Sequence, residues 1–279
     1  MPSVSYTQFS FFNVCFPSEF VAHIEINRPE KLNAFNQYMW TQLRDIFHLI
    51  SADPNVRVAL LSGRGDKAFT SGLELSAELL AILNGGDRDD ERARFMVRRV
   101  IQDFQFSISA IENCSKPVIG VAHGVAFGLA IDILSATDIR ICTSDVRFSI
   151  KEVDIGLAAD IGTLQRLPRV VNSLSWCKDV VYTARVFGAQ EAHAQGFVSK
   201  VVESKQKGLE AALELAKVIA TKSPVAVQGS KHLINYSRDR TIQEGLDYTA
   251  TWNAFAIGKD MKDAVAATLY KRKPQYGKL

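Results

Sequence analysis

The chain has 279 residues, of which 47% are hydrophobic, 23% charged and 9% aromatic, with a formal net charge of +3. That apolar share builds a core without disulfide or metal staples, and the small charge, with no long basic run or basic-aromatic patch, argues against nucleic acid as a partner. No apolar stretch approaches the ~20 residues that cross a bilayer, so no membrane span is expected.

In chain order, residues 20–26 (FVAHIEI) read as a strand that ends in the turn Asn27-Arg28-Pro29. Residues 37–50 read as a helix with Asn36 as its cap, and 56–61 (VRVALL) as a short apolar strand. Residues 68–70 lead through Ser71-Gly72 into a helix expected over 73–83, and the glycine-rich, charged stretch 84–94 reads as a surface loop. The next helix carries Val97, Ile101, Phe104, Ile108 and Ile111 as one apolar stripe. A buried strand at 117–121 is followed by Gly124 and a helix from about Gly128; strands at 139–142, 146–150 and 198–202 follow.

Beyond this point the pattern is helical, over 208–220, 225–237, 242–257 and 261–270. The expected organisation is an α/β core over residues 1–205 and a C-terminal helical region over 206–279 that packs against a partner subunit.

Cys15, Cys114, Cys142 and Cys177 are scattered and read as reduced packing residues; the five histidines lack metal-binding spacing, so no metal site is expected. The N-terminal MPSVSYTQFSFF shows neither a secretory nor a mitochondrial signal pattern. The C-terminal Gly277-Lys278-Leu279 resembles the S-K-L peroxisomal address with its first residue changed, making an import receptor a candidate partner; without that address the expected location is cytoplasmic.

Three stretches hold the candidate chemistry. Residues Ala68 to Leu73 and His123 to Asp132 each turn from strand into helix at glycine, which leaves backbone N–H groups free to bind an oxyanion or phosphate. Either turn alone is an ordinary structural feature; two converging on one thioester oxygen make an oxyanion hole. The third stretch, K-E-V-D-I-G-L-A-A-D-I-G from Lys151, sets Glu152 and Asp160 in apolar company, and Asp132 lies between Ile131 and Ile133. Acids in such surroundings are seldom buried unless paired or functional. Asp132 alone reads equally well as a capping or surface residue.

Asn27-Arg28-Pro29 with Asn33-Ala34-Phe35, the loop Phe69 to Leu75, His123-Gly124 through Asp132 with Asp138-Ile139-Arg140, Thr163 to Leu167, and Gly188-Ala189-Gln190-Glu191-Ala192 with Gly196-Phe197-Val198 occur in register over residues 20–205. Together they resemble the signatures of the crotonase (enoyl-CoA hydratase/isomerase) family. The resemblance implies a spiral of ββα turns with a C-terminal helical trimerisation region, a homotrimer or homohexamer, and coenzyme A thioesters as substrates without a further cofactor. It places the thioester between Ser71, Gly72, Leu73, Glu74 and Leu75 on one side and Gly128 and Leu129 on the other. The N–H groups of Leu73 and Leu129 would hold the carbonyl.

The carboxylate pattern distinguishes subfamilies. Hydratases of the family carry glutamates at the positions of Asp132 and Glu152 and a glycine at that of Asp160, whereas Asp132, Glu152 and Asp160 together resemble the Δ3,5-Δ2,4-dienoyl-CoA isomerases of fatty acid β-oxidation. The resemblance implies proton transfer at C2 by Glu152 and at C6 by Asp160, with Asp132 in support; Asp154 reads as structural. Moving a proton from C2 to C6 suits two carboxyl groups better than one short side chain. Open alternatives are a hydratase, another isomerase of the family, or a catalytically silent CoA-binding or RNA-associated member. Leu129 replaces a usual glycine; a negative φ is expected there, with its N–H still aimed at the carbonyl and its side chain narrowing the acyl pocket.

Overall fold

The computed structural model of the chain describes residues 5–76 and 89–279. β1 (Phe12–Ser18) and β2 (Val21–Ile26) form an antiparallel hairpin, followed by a 3₁₀ turn at Pro29–Lys31 and helix α1 (Gln37–Ala52). The Asn36 side chain accepts from the N–H groups of Tyr38 and Met39, as its capping position requires. β3 (Val58–Gly63), β4 (Ala68–Thr70), α2 (Asp90–Asn113), β5 (Val118–Ala122), β6 (Val125–Phe127), α3 (Leu129–Ala136), β7 (Ile139–Thr143) and β8 (Arg147–Ser149) come next.

These strands fall in pairs. β3, β5 and β7 lie side by side and parallel in a six-stranded sheet of order β1-β2-β3-β5-β7, closed by β10 (Lys200–Val202). Their successors β4, β6 and β8 form a four-stranded sheet with β9 (Phe187–Gly188). Each pair thus steps from one sheet to the other, and helices α2 and α3 carry the chain to the next pair: a ββα spiral, the expected fold. β3 and β5 are buried along their whole length, as parallel strands covered on both faces are.

Between β8 and β10 lie a 3₁₀ turn at Glu152–Ile155 and helices α4 (Thr163–Val170), α5 (Leu174–Thr183) and α6 (Ala189–Ala194). The main core, with Phe35, Phe47, Phe69, Phe148, Phe187 and Phe197 fully enclosed, lies inside the spiral. Helix α7 (Lys205–Ala220) covers the outer face of the large sheet with Gly208, Ala212, Ala216 and Ala220, small residues at every fourth position that let it approach Val58, Ile119, Val121 and Ile141 closely.

The last helices, α8 (Pro224–Ser237), α9 (Ile242–Ala256) and α10 (Lys259–Leu269), bury few of their own side chains and leave Ile234, Ile242, Phe255, Met261 and Leu269 exposed. They enclose a cleft of about 1110 Å³ that includes Leu233, Trp252, Ile257 and Met261. Among the described residues, no helix is long and apolar enough to cross a membrane.

Two readings need correction. The expected helix over 73–83 does not begin at Leu73: through Ser76 the chain stays non-helical because Phe35 N–H donates to Gly72 O and Glu74 N–H to Phe35 O, and residues 77–83 lie outside the described residues. The loop over 84–94 gives way at Asp90 to helix α2, since the Asp89 side chain accepts from Arg92 N–H and caps it; residues 84–88 lie outside the described residues. β1 and β6 had no sequence signal. β1 is an edge strand with one fully buried residue and therefore no alternation, and β6 is only three residues long.

Candidate active site

The site forms where β4 and β6 end side by side. Thr70 and Gly72 close the first loop: Thr70 Oγ1 donates to Asn33 O at 2.7 Å and accepts from Gly72 N–H at 3.1 Å. Asn33 holds the same loop from outside, donating from Nδ2 to Ala68 O and to Arg64 O, both at 2.9 Å. It does so from φ 57°, a left-handed conformation that asparagine tolerates better than most residues. The N-A-F signature is thus a brace for the loop that follows it in space. Arg28 Nη1 donates to Ala34 O at 2.9 Å and pairs with Glu74 at 2.6 Å, tying down the far side. Ser71 N–H donates to Leu32 O, and Leu75 is exposed.

The two loops touch at Gly72. A Cβ there would lie 3.0 Å from Phe127 O and 3.8 Å from Leu129 N, and φ is +106°, so only glycine fits. Across the contact, the positive φ falls on Gly128 (+52°), not on Leu129, which is the first residue of α3 and is outside the set of positive-φ residues. The neighbouring amides are engaged: Gly128 N–H with Ser149 O, Glu74 N–H with Phe35 O, and Ile131 N–H with Gly128 O. The N–H groups of Leu73 and Leu129 have no partner among these bonds, the second because first-turn amides of a helix lack one. Only the second donor sits at a helix start; the first lies in extended chain. The Leu129 side chain is buried in the main core.

The carboxylates gather behind this pair. The 3₁₀ turn brings Glu152 Oε1 to 3.4 Å from where a Cβ of Gly128 would stand, and Glu152 Oε2 is buried without a hydrogen-bond partner. Burial raises the Glu152 pKa, and the negative charge of Asp160 raises it further. Asp160, eight residues on, is also raised by burial. Asp132, in α3, is 1% exposed, and its Oδ1 accepts from Thr163 N–H at 2.6 Å and Thr163 Oγ1 at 2.8 Å. Burial first, and then the charge of Glu152, push its pKa up to about 7, against the pull of the Thr163 bonds. Asp154 points away and pairs with Lys151 on the surface at 2.9 Å.

The three acids therefore form one electrostatic group: a carboxylate oxygen beside Gly128 with no hydrogen-bond partner among the described residues, a second acid that raises the pKa of the first, and a third fastened to a helix start. Thr163 was not read from the sequence as a partner of Asp132; the only hint was its place after Gly162, at a helix start. Among the described residues, no cluster of histidine, cysteine, aspartate or glutamate could hold a metal ion.

The enoyl-CoA hydratase/isomerase family profile matches residues 17–278. The chain belongs to this family. Among its relatives, the mitochondrial Δ(3,5)-Δ(2,4)-dienoyl-CoA isomerase of Mus musculus is 45% identical over 253 residues, 90% of this chain and 77% of that protein. The peroxisomal Δ(3,5)-Δ(2,4)-dienoyl-CoA isomerase of Arabidopsis thaliana is 41% identical over 261 residues, 93% of each. Among solved structures, an enoyl-CoA hydratase from Bacillus anthracis superposes with a TM-score of 0.85 at 27% identity, over 96% of this chain and 99% of that one.

Proposed function

We propose that the protein converts 3,5-dienoyl-CoA thioesters to 2,4-dienoyl-CoA thioesters in fatty acid β-oxidation, by moving a proton from C2 to C6. The observation that carries this reading is the pair Glu152 and Asp160: a buried carboxylate oxygen with no partner, next to Gly128, and a second acid near enough to raise its pKa. Identity above 40% to relatives named for this activity supports it.

Glu152 Oε2 takes the C2 proton. The electron pair released delocalises through the diene and onto the thioester oxygen, where the N–H groups of Leu73 and Leu129 stabilise it. Asp160 delivers a proton to C6, the double bonds settle at C2 and C4, and the two acids have exchanged protonation states. In the reverse direction their roles interchange. Burial raises the pKa of both acids, and the charge of Asp160 raises that of Glu152 further, so their neighbourhood favours one proton shared between the two over two ionised carboxylates. Asp132 holds the start of α4, and with it the turn that bears Asp160. Ser71, Gly72, Leu73, Glu74, Leu75, Gly128 and Leu129 form the walls around the thioester. Nothing beyond the coenzyme A of the substrate is needed for these steps.

The same reading covers the rest of the molecule. Residues 1–205 carry the site, and residues 206–279 assemble a homotrimer or homohexamer through their exposed apolar helices. Gly277-Lys278-Leu279 directs the protein to peroxisomes, the location in the name of the Arabidopsis relative, whereas the mouse relative is named mitochondrial.

The test is a spectrophotometric assay with 3,5-octadienoyl-CoA alongside hydration of crotonyl-CoA. Conversion of the dienoyl substrate to the conjugated 2,4 product, with hydration at least 100-fold slower, is expected. Efficient hydration with no diene conversion would replace the isomerase reading with a hydratase.

A further inference from the structure

The Asp160 carboxylate is held by no other side chain among the described residues, so the direction in which it points is set by its main chain. That main chain is held from two sides. From α2, Gln105 Nε2 donates to Asp160 O at 2.5 Å. From α4, Arg166 Nη1 donates to Ile161 O at 3.5 Å, and its guanidinium fills the space beside Gly162, where a Cβ would meet it head-on. Arg166 is itself 8% exposed and anchored: Nε donates to Glu112 at 2.9 Å, Nη2 to Ser109 Oγ at 2.8 Å, and Glu112 is gripped again by Arg238 at 2.6 Å. Helix α2 thus supplies Gln105, Ser109 and Glu112, four and three residues apart on one face, as a rail against which the turn 160–162 is set.

We infer that Gln105 is a positioning residue for Asp160: its amide fixes the Asp160 carbonyl and so aims the carboxylate at the distal end of the acyl diene, while leaving the C2 half of the site untouched. This rests on the roles proposed above for Glu152 and Asp160. Among the described residues, the side chain of Gln105 hydrogen-bonds the turn through Asp160 O alone, whereas Glu152 belongs to the separate 3₁₀ turn Glu152–Ile155, packed beside Gly128. Losing the amide therefore frees one acid and not the other. Gln105 lies on the exposed face of α2, so replacing it leaves the core intact.

The experiment compares wild type, Gln105→Leu and Asp160→Asn with 3,5-octadienoyl-CoA in D₂O. It follows diene conversion by absorbance and deuterium entry at C2 of the recovered substrate by mass spectrometry. In Gln105→Leu, kcat for conversion is expected to fall about 10- to 100-fold, the scale of a misplacement near 1 Å. KM and the C2 exchange rate should stay within about threefold of wild type, because the hole and Glu152 are unchanged. Conversion at the wild-type rate in Gln105→Leu, with Asp160→Asn inactive, overturns the positioning role alone. So does a parallel fall of conversion and C2 exchange, which would mark a general structural defect. Conversion at the wild-type rate in Asp160→Asn instead overturns the role of Asp160 itself.

Discussion

Asp132 carries the highest electrostatic cost in the site. Its carboxyl is fully enclosed, faces the charge of Glu152, and has a pKa pushed up to about 7 from an ordinary value of 3.8. A carboxyl with a raised folded-state pKa contributes stability that is fully present below its unfolded pKa and is lost as pH rises through the folded one. The window here runs from about pH 4 to about pH 7. At about 1.4 kcal/mol per unit, the loss is of the order of a few kcal/mol. Asparagine keeps an oxygen to accept the two Thr163 bonds and removes the charge. Asp132→Asn should therefore gain melting temperature relative to wild type as pH is raised from 5 to 8, read by differential scanning calorimetry. A difference that is constant across this range would mean that Asp132 is already ionised in the folded protein at pH 5 and that its pKa is not raised.

At the scale of elements, the turn between β6 and α3 decides how Leu129 can stand where glycine is usual. Because Gly128 takes the positive φ, Leu129 starts the helix in an unstrained conformation and keeps its N–H. Leu129→Gly should thus change turnover of 3,5-octadienoyl-CoA by less than about tenfold. A rise of 100-fold or more would show that the wild-type donor is misaimed, since one lost donor costs ~10²–10³. The regular elements were legible because their periodicity is strong: α1 with its Asn36 cap, the buried strands β3 and β5, and the four last helices sit within a few residues of where the sequence puts them. The acids were legible because charge in apolar company is rare. What could not be read is what depends on distant partners. Leu73 stays extended because Phe35 binds its neighbours, and Asp132 meets Thr163 across 31 residues of chain. Gln105 reaches Asp160 across 55, and no local pattern marks such a pair.

For the whole molecule, the contrast lies between α7, which packs its alanines on the sheet, and α8 to α10, which leave Phe255 at 88% and Ile242 at 84% exposed around a large cleft. Apolar surface of this extent in the isolated chain fits burial between subunits. Sedimentation velocity should show a trimer or hexamer, and a monomer that persists at all concentrations would contradict it. The proposed conversion of the diene turns on Asp160. The most direct measurement is the turnover of 3,5-octadienoyl-CoA by purified Asp160→Asn, with folding checked by circular dichroism and thioester binding by calorimetry. A fall of ~10²–10⁴, the range for a lost general acid, with binding and fold retained, is the expected result; turnover equal to wild type would contradict the two-carboxylate mechanism.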